Sequence, residues 1–341
     1  MKLKIWKILG AVCLLAALIC MIFINVKKKG MYDENGAKRW SEDEAFAQIR
    51  VIYPLTGMEL NEYSFLELDH NISSRLESTA YGVTDFPRSL SANGSLTLSS
   101  DKGSIEADCV GVEEDYFLMH PMPLLKGSYL TGDDMMDDGI IIDESIAWKL
   151  FGSNDVCGLT VNVGEVPLII RGVMDKPDDT LSMEAGLTED FCFVSMNSLR
   201  SYGRVEGSYV YEVILPDPVS GFAYDQVTQA IGEDTLKQVE VIDCSERFST
   251  DALNGVWMQT GLRSMRVKGM VYPYFENIAK ATEDYLAILM LFTVVLLCPP
   301  VVIFIICFIG FLKGDKYKKV KEYERELWKN LKEYVRLHSP L

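Results

Sequence analysis

GIIIDESIAWKLFGSNDVCGLTVNVGEVPLIIRGVM, residues 139–174, changes its hydrophobic period three times. Gly139 to Ile142 is a short apolar run of β-branched character, which predicts a buried strand. Asp143 and Glu144 put an acceptor and negative charge where a helix begins, and Ile146, Ala147, Leu150 and Phe151 follow on one face. Gly152 ends that helix. Leu159, Val161 and Val163 then alternate with Thr160 and Asn162, Gly164-Glu165 supplies a turn, and Val166 to Val173 runs back as a second strand. The order is strand, short helix, hairpin. No nucleophile in it stands in a catalytic motif and no glycine-rich loop is placed to hold a phosphate, so residue chemistry alone gives it a folding role.

Outward from this module, two stretches are long and apolar enough to cross a ~30 Å hydrocarbon core. Residues 5–26, IWKILGAVCLLAALICMIFINV, carry only Lys7, and residues 285–312, YLAILMLFTVVLLCPPVVIFIICFIGFL, carry no charge. The first lacks a small-x-small cleavage site and is followed by Lys27-Lys28-Lys29, which favours an uncleaved anchor over a secretory signal. Val12 and Ile19 precede Cys13 and Cys20 where a lipoprotein signal would have a small residue. After Leu312 the chain reads KGDKYKKVKEYERELWKNLKEYVR, nine Lys or Arg against five acids, so the C-terminus is expected in the cytoplasm. Two spans then put the N-terminus there as well and leave residues 31–284 outside, in the plasma membrane's extracytoplasmic space.

The net charge of −16 is unevenly spread: residues 31–284 hold 44 acids and 18 basic residues, a balance that excludes nucleic acid as a partner. About 250 residues bury a sizeable core, as one large domain or two lobes. Cys109, Cys157, Cys192 and Cys244 are widely spaced and form no C-x-x-C, so metal binding is not expected, while disulfides and isolated thiols both stay open.

Along the outer segment, residues 40–53 place Ala45, Phe46, Ile49 and Ile52 at helical spacing behind a Ser41/Glu44 capping box, predicting a helix. A second helix is predicted over 61–76. Residues 95–118 read as a hairpin about Asp101-Lys102-Gly103, 191–202 as a strand entering a helix, and 209–217 as a strand. Residues 222–232 and 234–241 predict helix then strand, and Met258 to Lys280 a stalk returning to the membrane. Pro299-Pro300 predicts a kink in the second span, with carbonyls that need protein or water partners. In the tail, Val320, Tyr323, Leu327, Trp328, Leu331, Tyr334 and Val335 form one stripe of an amphipathic helix, suited to the inner leaflet or to a cytoplasmic partner.

Catalytic chemistry is not evident. His70, His120 and His338 are not clustered, and His120 before Pro121 reads as a surface loop residue. No G-x-S-x-G or S-x-x-K supports a hydrolase, and no G-x-x-x-x-G-K-[ST] supplies a nucleotide site. GDDMMDDG, 132–139, has Met where a calcium loop needs oxygens, so a solvated turn is expected. Asn71 and Asn93 begin N-x-S matches of no consequence outside a eukaryotic secretory pathway. No catalytic, cofactor-binding or metal-binding residue is predicted.

Gly111-Val112, Asp115-Tyr116-Phe117, Lys126-Gly127-Ser128 and the opening module together resemble the extracytoplasmic core domain of MacB-like ABC transporter permeases, the MacB/FtsX type. There a strand end of the form V…dYF precedes a Gly-Arg loop and a unit of the form viid…A..lFG….iGk.v. Here Lys126 and Ser128 flank the glycine in place of Gly-Arg, and Leu159 stands where Lys is common. The likeness is densest over 110–174.

The resemblance implies an α+β extracytoplasmic domain of two lobes, one inserted in the other, with mainly antiparallel strands and packed helices, between two transmembrane helices. It further implies a noncatalytic permease-like subunit without a cofactor, coupling an ABC ATPase in the cytoplasm to the outer domain, with a second permease chain and the lipid bilayer as partners. The family pattern has three spans after the domain where one is seen here, so a sensor or adaptor without transport is the alternative. The expected division is 5–26 span, 31–284 core domain, 285–312 Pro-kinked span, and 313–341 basic amphipathic tail.

Overall fold

The computed structural model describes the chain apart from residues 1, 42–44, 57, 59, 61, 80–84, 132–136, 178, 259–269, 314–321 and 330–341. In chain order, α1 (Lys2–Lys29) leads through a 3-10 turn (Tyr32–Glu34) and α2 (Gly36–Trp40) to β1 (Phe46–Ile52), α3 (Glu62–Glu77) and β2 (Arg88–Ser100). Next come β3 (Gly103–Val112), α4 (Tyr116–Met119), β4 (Leu124–Gly127), β5 (Gly139–Asp143), α5 (Glu144–Leu150), β6 (Thr160–Val163), β7 (Val166–Met174), α6 (Thr180–Ala185), β8 (Phe191–Ser195) and α7 (Met196–Tyr202). The chain closes with β9 (Arg204–Pro216), α8 (Phe222–Ile231), α9 (Glu233–Leu236), β10 (Glu240–Asp243), α10 (Thr250–Met258) and α11 (Tyr274–Lys313). It divides into two units, Lys27–Ala287 and Met1–Val26 with Ile288–Leu341.

The first of these units holds two lobes. β1-α3-β2 and β9-α8-β10 are two β-α-β segments whose strands lie in the order β10-β1-β9-β2, every pair antiparallel. This is the ferredoxin-like arrangement. Period-2 alternation builds it: Ala47, Ile49 and Val51 of β1 and Tyr211, Val213 and Leu215 of β9 face α3 and α8, where Ile72, Leu76, Ala223 and Val227 complete an apolar core.

Everything from β3 to β8 is inserted between β2 and β9. In that insertion β2 pairs β3, β3 pairs β8, β8 pairs β5, β5 pairs β7, β7 pairs β6, and β6 returns to β2, which closes a six-membered ring of strands. Closure removes the open edges these strands would otherwise expose. Leu98, Cys109, Ile140, Val161, Ile170 and Val194 belong to its core. The pairing is mainly antiparallel, with β3–β8 and β5–β7 parallel.

The opening module forms as its periods predict. Asp143 Oδ1 accepts the Ile146 amide at 2.9 Å to cap α5, and Gly152 ends the helix at φ +76°. In β6, Val161 and Val163 are buried while Thr160 and Asn162 are exposed. Gly127 has φ +90°, and a Cβ there would lie 2.1 Å from the Arg171 carbonyl oxygen, so the loop glycine of the motif is set by close approach of β4 to β7.

Four expectations are corrected. Residues 46–52 of the predicted helix 40–53 form strand β1, because both faces of that strand are buried and the apolar spacing no longer reports one period. The strand placed at 234–241 begins only at Glu240, after the turn of α9. The stalk is not free-standing over its described part: Met270, Tyr272, Tyr274 and Phe275 are buried with Ile52, Tyr116 and Phe193, while 259–269 lie outside the described residues. The surface assignment of His120 is also wrong, as described below. The predicted helix at 61–76 matches α3, and the hairpin at 95–118 matches β2–β3.

In the other unit, α1 and the later part of α11 are helices of the length and apolarity needed to cross a membrane, with mean hydropathy of 2.7 and 2.9 in their most apolar windows. α11 is continuous through Pro299 and Pro300. Gly10 of α1 approaches α11 closely: a Cβ there would lie 2.8 Å from Ile303 Cδ1. Of the amphipathic tail, residues 322–329 are helical and exposed, and the rest lies outside the described residues.

Candidate functional site

Alternation along β1 and β9 sends Gln48, Arg50 and Glu212 to the sheet face away from α3 and α8. On that face they meet the segment after α1, the end of α4, Arg247, and the first turns of α11. The result is a buried ionic junction. Arg50 is fully buried and binds Glu212 Oε1 through Nε at 2.9 Å, Glu34 Oε1 through Nη1 at 2.9 Å, and Glu276 Oε2 through Nη1 at 2.5 Å. Arg247 binds Glu34 Oε2 at 3.1 Å and Glu276 Oε1 at 2.6 Å, and its Nε pairs with Glu283. Glu34 and Glu276 thus each bridge both arginines.

His120 completes the network. It is fully buried, with Nδ1 2.9 Å from Asp33 Oδ1 and Nε2 bonded to Glu212 Oε2. Its ring stacks on Phe275 at 3.9 Å between centroids, and the Arg50 guanidinium lies 4.6 Å from the centre of the same Phe275 ring. Gln48 ties the carboxylate to the backbone: its Nε2 donates to Glu212 Oε1 at 3.0 Å and to the Asp33 carbonyl at 2.9 Å, and its Oε1 accepts the Gly36 amide at 2.9 Å.

Burial opposes charge on His120, Glu212, Glu276, Arg50 and Arg247, and the neighbours outweigh it. Desolvation lowers the His120 pKa, yet Glu212 and Asp33 raise it to about 9. Desolvation raises that of Glu212, yet Arg50 and His120 bring it down to about 2. Arg50 and Arg247 lie above the usual arginine value because their carboxylate partners overcome desolvation. Removing one partner from such a cluster costs about 3–5 kcal/mol, since a buried charge is left uncompensated. Chemically, the junction clamps four separate chain segments onto one sheet face. Among the described residues, His120 hydrogen-bonds two carboxylates, Asp33 and Glu212.

The other sequence candidates do not join this site. His70 is exposed on α3, on the opposite side of the sheet, and His338 lies outside the described residues. Cys109 and Cys192 are register partners across β3–β8 and, with Cys244, are buried thiols, whereas Cys157 is exposed. Most of 132–139 lies outside the described residues. Sequence reading missed Glu34, Gln48, Arg50, Glu212, Arg247 and Glu276. The available signal was a lone charge inside an apolar run, as in AQIRVI and YVYEVILP. A separate cleft of about 370 Å³ is lined by Glu114, Asp137, Ser195, Asn197 and Arg200, in the insertion and α7.

Residues 42–233, more than half of the chain, match the MacB-like periplasmic core domain. The Macrolide export ATP-binding/permease protein MacB of Neisseria gonorrhoeae is 31% identical over 91 residues, which are 26% of this chain and 14% of that protein. The protein of the same name from Pasteurella multocida is 28% identical over 80 residues, 23% of this chain and 12% of its own length. The chain therefore spans only a small part of the relatives it matches. Among solved structures, the periplasmic region of MacB from Actinobacillus actinomycetemcomitans aligns with 17% identity and a TM-score of 0.43, covering 62% of this chain and 93% of that one. The extracellular domain of the noncanonic ABC-type transporter YknZ from Gram-positive bacteria aligns with 19% identity and a TM-score of 0.40, covering 57% and 100%. With the matched segment spanning β1 to α8 and two long apolar helices flanking the domain, the chain belongs to the MacB-like periplasmic core domain family of ABC-type transporter permeases.

Proposed function

We propose that this chain is a noncatalytic, permease-like membrane subunit that couples a separate cytoplasmic ATPase to its extracytoplasmic domain. The observation that carries the proposal is the ionic junction, where Glu34 after α1 and Glu276 at the start of α11 share Arg50 and Arg247. Displacement of either segment is resisted by buried charge and is passed to β1 and β9, the central strands of the ferredoxin-like lobe. In this reading 5–26 and 285–312 are spans, 31–284 is extracytoplasmic, and 313–341 is a cytoplasmic tail that contacts an ABC ATPase, with a second permease chain beside it. The Lys and Arg excess after Leu312 supports the orientation.

The alternative, a membrane-anchored sensor or adaptor, draws on the cleft beside Arg200, whose volume is within the range of small-molecule sites. Purification of the full chain from its native host in mild detergent, followed by mass spectrometry, separates the two. Co-recovery of an ABC ATPase that depends on residues 313–341 is expected. Recovery without any ATPase, with the tail present or deleted, contradicts the subunit reading and leaves the sensor.

A further inference from the structure

The apolar groove between α1 and the later turns of α11 is lined in part by Pro299, one of two adjacent prolines that remove helix donors. In an α-helix the carbonyl of residue i accepts from the amide of i+4, and in a tightened 3-10 turn from that of i+3. For Leu296 these residues are Pro300 and Pro299, and neither has an N–H. Val295 loses only its i+4 donor and keeps Cys298, and Leu297 keeps Val301. The tandem prolines therefore single out one carbonyl, at Leu296, in the middle of the apolar segment 285–312. Hydrocarbon holds no bulk water to satisfy it.

Among the described residues, the two donor side chains nearest in sequence are directed elsewhere. Thr293 gives its only hydroxyl proton to the Leu289 carbonyl at 2.8 Å, and the Cys298 thiol is directed to the Val294 carbonyl at 3.5 Å. At this level α1 presents Gly10, whose Cβ position is 3.8 Å from Pro300 Cα. Alongside runs an apolar groove of about 510 Å³ lined by Trp6, Cys298, Val302, Ile303, Ile306 and Cys307.

We propose that a membrane helix of a different polypeptide occupies this groove and presents a Ser, Thr, Asn or Gln side chain to the Leu296 carbonyl. The proposal rests on reading 5–26 and 285–312 as spans. A lipid chain fills the volume but carries no donor. A second copy of these two helices fails for a compositional reason. In 5–26 and 285–312 the donors are Trp6, Lys7, Asn25 and Tyr285 near the ends, the weakly donating thiols, and Thr293, whose proton is already used. Shape and chemistry together thus call for a partner helix with a polar residue, which is how membrane helices are commonly joined.

The test is photocrosslinking in native-host membranes of the full chain carrying p-benzoyl-phenylalanine in place of Val302, next to the same chain with Pro299→Ala and Pro300→Ala, which restores both amides. The expected result is an adduct on a heterologous peptide that is apolar apart from a Ser, Thr, Asn or Gln, with yield reduced at least tenfold in the double alanine variant. An adduct of twice this chain's mass, an adduct on lipid alone, a partner peptide without a donor, or a yield indifferent to the prolines overturns the proposal. Alkaline carbonate washing separates this from the spanning assignment. Release of the chain from membranes refutes both, whereas retention without a heterologous adduct refutes only the partner helix.

Discussion

The two faces of the ferredoxin-like sheet are made from the same strands and solve burial in opposite ways. Toward α3 and α8, Ile49, Val51, Val213 and Leu215 join Ile72, Leu76 and Val227 in an apolar layer. Toward the other side, Gln48, Arg50 and Glu212, one residue out of phase, join Glu34, His120, Arg247 and Glu276 in a charged one. The apolar face is non-directional, and side chains there tolerate small repacking. The ionic face is directional, and each member fixes the position of segments that come from distant parts of the sequence. What differs is specificity: one face supplies cohesion, and the other registers the segments leading to and from the apolar helices against the sheet.

The largest expected break in this comparison is Arg50→Ala, which leaves Glu34, Glu212 and Glu276 short of a cation and should cost about 3–5 kcal/mol in denaturant unfolding of the full chain in detergent. Ile72→Ala on the opposite face should cost about 2–4 kcal/mol by cavity formation, with a loss that does not vary with pH. An Arg50→Ala loss no greater than that of an exposed substitution would remove the asymmetry between the faces.

Next in size is the response to alkali. His120 has a pKa of about 9 against an ordinary 6.5, a raised value, so its stabilisation is complete below pH 6.5 and is lost as pH rises through 9. Glu212, at about 2 against 4.5, contributes fully above pH 4.5 and is lost as pH falls through 2. The ionic face is therefore strongest between about pH 4.5 and 6.5. Between pH 6.5 and 10 the wild type should lose about 2–3 kcal/mol relative to His120→Gln. Parallel pH profiles of the two proteins would show that His120 is not the group responsible.

The smallest expected effect is at the sheet's edge. Burial, with Asp217 and Glu246 nearby, raises Asp243 of β10 to about 6. Its raised value means that ionisation destabilises the fold as pH climbs past the ordinary carboxylate range. Asp243→Asn keeps an acceptor for the Ser245 and Glu246 amides, and should gain under about 1 kcal/mol at pH 7 after solvent screening. A loss there in thermal melts would contradict this sign.

Legibility in the sequence follows the same division. The module at 139–174 was readable because each element buries one face, so its period reports its structure, from the Asp143 cap to the alternation of Val161 and Val163. The two lobes followed from the family resemblance. β1 was misread because Gln48 and Arg50 are as buried as Ile49 and Val51, and a strand enclosed on both sides has no amphipathic period to detect. The junction was out of reach for a further reason. Glu34, His120, Glu212, Arg247 and Glu276 are brought together only by the long-range order β10-β1-β9-β2, and a lone charge does not name its partner. His120 read as a loop histidine because Pro121 follows it, and tertiary packing against Phe275 and Tyr116 buries it.

Buried charge binds the segment after α1 to the rest of the domain. A double-mutant cycle between Glu34→Gln and Arg247→Met, followed by unfolding of the full chain in detergent at pH 6, measures that attachment. The two side chains meet at 3.1 Å across a long stretch of sequence. A coupling energy of at least about 1.5 kcal/mol is predicted, whereas effects that add to within about 0.5 kcal/mol would contradict the account.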